Sequence, residues 1–106
     1  MIVVSDATPI ISLAKIEMLN ILESLFNEVV LPTAVIEEVS RNLSYSKEAV
    51  TIKSSPFIKE QTVENKQAVK ILMASGLDLG ESEAIVLSDS LPDALLLMDE
   101  RKGRQK

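Results

Sequence analysis

The run Ile2-Val3-Val4-Ser5-Asp6-Ala7-Thr8-Pro9-Ile10-Ile11-Ser12-Leu13-Ala14 decides the fold. Its first residues are a short apolar stretch that stops at a single acid, which is the pattern of a buried strand ending at Asp6. Thr8-Pro9 then predicts a helix start, with a hydroxyl cap and proline in the first turn. Ile11, Leu13, Ala14, Ile16, Leu19, Ile21, Leu22 and Leu25 follow at helical spacing and predict two consecutive helices.

The same alternation continues downstream. Glu28-Val29-Val30-Leu31 reads as a second strand stopped by Pro32, which suits the first turn of a helix whose apolar stripe is Val35, Ile36, Val39 and Leu43. Residues 42–55 are polar and resist assignment, with a short helix expected from Lys47. Phe57-Ile58-Lys59-Glu60 predicts a weak third strand, and residues 63–75 a helix closed by Gly76. Residues 78–91 predict another helix. Residues 94–98, Ala-Leu-Leu-Leu-Met, are continuously apolar, as in a strand inside a sheet covered on both faces. Strands alternating with helices imply one α/β domain with a parallel sheet and right-handed crossovers.

Composition narrows the chemistry. At 106 residues the chain is one small domain, 46% hydrophobic and only 3% aromatic, so its core rests on Leu, Ile, Val and Ala. The absence of Cys removes disulfides, thiolate zinc sites and a cysteine nucleophile. The absence of His removes the Ser-His-Asp triad, imidazole general-base chemistry and almost every zinc hydrolase site. Catalysis must then use carboxylates, hydroxyls, Lys or Arg, with or without a hard metal. No apolar run is long enough to span a bilayer, and Met1 is not followed by a basic, then apolar leader, so the expected location is cytoplasmic. A formal net charge of −5 argues against a non-specific nucleic-acid coat protein. Arg101, Lys102, Arg104 and Lys106 crowd the last residues, where they read most simply as a solvated tail. Gly76, Gly80 and Gly103 fit neither a P-loop nor a dinucleotide fingerprint.

The acids are the functional signal. Sites in open parallel sheets form beyond the carboxyl ends of strands, and Asp6 and Asp99 each follow an apolar strand. Taken singly, each is as readily a helix cap. Glu38 lies nearer the apolar arc of its helix than Glu37 does, although a solvated pair of glutamates explains the same pattern. Asp78-x-x-Glu81 has the spacing of a capping box, which competes with an inward role for Glu81. Glu83 lies farther from the stripe of Ala84, Leu87, Ser88 and Leu91. Two carboxylates about 4 Å apart repel by roughly 4 kcal/mol at an effective dielectric near 20. A cluster therefore calls for a cation, and all-oxygen ligation suits Mg²⁺ or Mn²⁺.

At these residues the chain resembles the PIN domain family of metal-dependent ribonucleases, closest to the prokaryotic branch related to VapC-type toxins and the group labelled DUF3368. Four segments in order carry the resemblance: Val4 to Ala14, Val30 to Val39, Leu79 to Ser88, and Leu95 to Arg101. It implies a three-layer α/β/α domain with a mainly parallel four-stranded sheet. It also implies an acidic site of Asp6, Glu38, Glu81 and Asp99 holding one or two Mg²⁺ or Mn²⁺ ions. Thr8 stands where the family places a hydroxyl supporting the first aspartate or its water, and Arg101 or Arg104 would lie near the incoming phosphate. The implied substrate is RNA, and the implied partners are a small antitoxin and a second copy of the chain as a dimer. The family domain continues past the fourth acid with a helix and a fifth, edge strand, so the chain is expected to be C-terminally truncated, with self-association or dependence on the antitoxin.

Two other functions fit parts of the pattern. A catalytically inactive remnant would keep the fold and bind a protein partner. A receiver-like phosphoacceptor domain also places acids at strand ends, but its adjacent acidic pair after the first strand is missing, because Ser5 precedes Asp6.

Overall fold

Strand β1 (Ile2–Ser5) is the hinge of the sheet, since it pairs in parallel with β2 (Glu28–Pro32) on one side and with β4 (Leu95–Leu97) on the other. The structure, a computed structural model, describes residues 1–98. Strand β3 (Ile58–Gln61) lies outside β2, so the described sheet has the order β3-β2-β1-β4 with every pairing parallel. The chain grows outward from β1 to β3 and then returns to the opposite side of β1. The growth of the sheet thus reverses between β1 and β4, and their carboxyl ends define its switch point.

Helices α1 (Ala7–Lys15), α2 (Leu19–Leu25), α3 (Thr33–Arg41), α4 (Ser46–Ser54), α5 (Lys66–Ala74) and α6 (Leu79–Ser90) fill the intervals, with a short 3-10 turn at Leu43–Tyr45. Side chains alternate across each strand, and this sorts the core into two clusters. Val3, Val29 and Leu31 face Ile10, Leu22, Val35, Val39 and Ile52 of α1 to α4. Val4 and Val30 face Val69, Ala84 and Leu87 of α5 and α6. Among the described residues, four helices on one face and two on the other make the expected three-layer α/β/α sandwich.

Several boundaries differ from the sequence reading, each for a local reason. Helix α1 begins at Ala7 with Asp6 in the N-cap position, so Thr8 is an exposed first-turn residue rather than the cap. Helix α3 ends at Arg41. Asn42 then leaves the helical region and its side chain accepts a hydrogen bond from Ser44 N, which starts the 3-10 turn. Leu43, expected on the buried stripe, is consequently 87% exposed. Helix α5 starts at Lys66, where Asn65 caps it by accepting from Ala68 N, while Val63 is buried ahead of it. Gly76 closes α5 at φ +115°, a conformation that favours glycine. Strand β4 is only three residues long and forms one edge of the described sheet. Leu95 is exposed and Leu96 and Leu97 are half-buried, so it is not covered on both faces as its composition suggested. Among the described residues, no helix is long and apolar enough to cross a membrane.

Candidate metal centre

Asp6 is the first residue after β1, at the switch point. Its N–H donates to Leu97 O at 2.9 Å, which ties the end of β1 to the end of β4. Its φ of −77° and ψ of 172° are those of an N-cap, yet its side chain makes no capping hydrogen bond. Asp6 is 3% exposed, so its carboxylate is held inside the molecule. The simple capping explanation for this acid therefore fails.

Glu38 reaches the same place from α3. Val35 and Val39 anchor one side of α3 in the core, and Glu38, one turn after Val35, lies at the border of that side. The convergence is recorded at Gly80, in the first turn of α6. A Cβ at Gly80 would stand 2.9 Å from Glu38 Oε1, 3.6 Å from Val35 Cγ2 and 3.7 Å from Asp6 Oδ1. Two acids 32 positions apart in sequence thus meet over the start of one helix. The partial positive charge of that helix end favours anionic oxygens there.

Glu81 and Glu83 are both buried, at 3% and 6% exposure. Glu81 forms the capping box that its spacing suggested. Its Oε1 accepts from Asp78 N at 2.9 Å, and Asp78 Oδ1 accepts from Glu81 N at 2.8 Å. Glu83, which the helical wheel placed away from the buried stripe, has a role that sequence reading missed. Its Oε1 accepts from Ala34 N at 3.0 Å, in the first turn of α3, while Lys66 Nζ lies 4.0 Å from Oε2. Pro32 at the N-cap of α3 supplies no capping side chain, so an acid from α6 does so instead.

Asp99, Arg101 and Arg104 lie outside the described residues. Among the described residues, no three acidic side chains gather closely enough to form a metal-holding group. A pair nevertheless fits Mg²⁺, which retains several waters and is commonly held by one or two carboxylates. Asp6 and Glu38 would be those two ligands, and both offer only the hard oxygen donors that Mg²⁺ and Mn²⁺ take.

Fold and site together define an α/β/α domain with two acids, Asp6 and Glu38, directed to one point at the switch point of a parallel sheet. The order β3-β2-β1-β4 separates it from receiver-like domains, whose first strand lies between the second and third. The chain belongs to the PIN domain family, since the family model DUF3368, described as a PIN domain, matches residues 2–106. PIN domains as a class point to nuclease-type function, divalent metals and nucleic acid as the bound polymer. No curated protein and no solved structure gives a significant match.

Proposed function

We propose that the protein is a metal-dependent endoribonuclease of the PIN/VapC toxin type, hydrolysing RNA phosphodiester bonds at the β1/β4 switch point. The observation that carries this reading is the approach of Asp6 and Glu38 to Gly80, because two acids directed to one point beyond the strand ends repel each other, and positive charge between or beside them relieves that repulsion. Asp6 and Glu38 hold Mg²⁺ or Mn²⁺ in this proposal, and Glu81 and Asp99 complete the acidic set that the family resemblance implies. A divalent cation bound there would supply positive charge to the scissile phosphate and activate water near neutral pH, which a chain without histidine cannot otherwise do readily. Ser5 Oγ donates to Asp6 O at 2.8 Å and steadies the backbone that presents the first carboxylate. Thr8, exposed on the first turn of α1, supports Asp6 or its water, and Arg101 or Arg104 meets the phosphate. A small antitoxin and a second copy of the chain are the partners this reading brings with it.

The engagement of Glu81 in its capping box favours a second reading, a non-catalytic PIN domain that binds a protein partner. Cleavage of single-stranded RNA with MnCl₂ separates the two. Wild-type cleavage that falls at least 100-fold in Asp6→Asn supports the nuclease. Binding of Mn²⁺ with no cleavage supports the partner-binding domain. Equal cleavage by wild type and Asp6→Asn refutes the assignment of the site.

A further inference from the structure

We propose that Gly80 is a positioning residue of the acidic centre: its missing side chain keeps open the space into which Asp6 and Glu38 both project, and so sets where a cation can sit between them. The inference rests on the metal-centre reading above and adds to it a residue that carries no ligand atom.

The backbone does not call for glycine at this position. Gly80 is the second residue of α6 and lies outside the positive-φ region, unlike Gly76. Alanine is the better helix former in such a place, because glycine loses more chain entropy on folding. What glycine supplies here is room. A Cβ would come within 2.9 Å of Glu38 Oε1, closer than real Cβ contacts allow, and within 3.7 Å of Asp6 Oδ1. The helix cannot easily slide to relieve the contact, because the Asp78–Glu81 capping box pins its first turn. Val35, the third neighbour, is fully buried and at ordinary contact distance. Glu38 is on an exposed position of α3, so its side chain is the part that yields. Turned out toward solvent, it leaves Asp6 without the partner that completes the cation site.

The expected signature separates a positioning role from a structural one. In EDTA, Gly80→Ala should unfold at a temperature equal to or above that of wild type. Titrated with MnCl₂ alone in a calorimeter, the same variant should bind at least tenfold more weakly. Adding Glu38→Ala to Gly80→Ala should weaken binding by less than Glu38→Ala does in the wild-type background, because both changes remove the same ligand. Glu38→Asp, one methylene shorter, should recover part of the affinity lost in Gly80→Ala. Unchanged Mn²⁺ affinity in Gly80→Ala overturns the proposal while leaving the metal centre standing. A lower unfolding temperature in EDTA overturns it in favour of a packing role. A wild-type protein that binds no Mn²⁺ refutes the metal centre itself, and this inference with it.

Discussion

Ser82 sits in the second turn of α6 with no exposed surface, and its hydroxyl has no hydrogen-bond partner among the described residues. Burying a hydroxyl without a partner costs free energy, and serine is also a weaker helix former than alanine. Ser82→Ala is therefore expected to raise stability by about 1 kcal/mol in urea unfolding, and a loss of similar size would show that the hydroxyl is satisfied. Single residues were legible to different degrees. Asp6 stood out because an acid directly after an apolar strand is a local pattern. Whether its carboxylate capped α1 was not legible, because the same N-cap backbone conformation serves an acid whose side chain caps and one whose side chain does not. Gly80 carried a signal that went unread: a glycine inside a helix whose start is otherwise well specified asks for a steric reason.

At the scale of elements, the most informative contact is Glu83 with the first turn of α3. A helix start preceded by Pro32 lacks a capping side chain, and the orphan N–H of Ala34 is satisfied from α6. Glu83→Ala leaves that N–H unpaired in a buried setting, so it should cost about 2 kcal/mol in urea unfolding. Glu83→Gln keeps an acceptor and should cost less than half as much; an equal cost would mean that charge rather than the hydrogen bond matters. Because α3 carries Glu38, Glu83→Ala is also expected to loosen one wall of the candidate metal centre. The capping box of α6 was legible, since Asp78 and Glu81 are near neighbours in one turn. The cap of α3 was not, since its donor and acceptor are 49 residues apart. Leu43 misled for a related reason: helical periodicity runs on past the point where Asn42 turns the chain.

For the molecule as a whole, the sheet divides the apolar interior into two clusters on opposite faces. Ile52 belongs to one and Val69 to the other, and both are buried. Ile52→Val should cost about 1 kcal/mol and Val69→Ala about 2 kcal/mol. Their effects should add to within about 0.5 kcal/mol in denaturant unfolding, because they belong to separate clusters on opposite faces of the sheet. Clear non-additivity would mean that the layers deform together. The position of β4 also belongs to this scale. Its apolar composition reads as a central strand, whereas the order of strands places it at an edge of the described sheet.

The amino-acid sequence by itself determined the α/β class, the parallel sheet, the run of strand and helix, and the absence of histidine and thiol chemistry. These follow from periodicity and composition, which act over a few residues. Which acids meet was decided only in three dimensions. Asp6 and Glu38 come together because the strand order brings α3 and the first turn of α6 over the end of β1. Glu81 and Glu83, nearly indistinguishable in sequence, are separated by the hydrogen bonds each side chain finds. Long-range packing chose the partners, and no local pattern encodes a partner that far away.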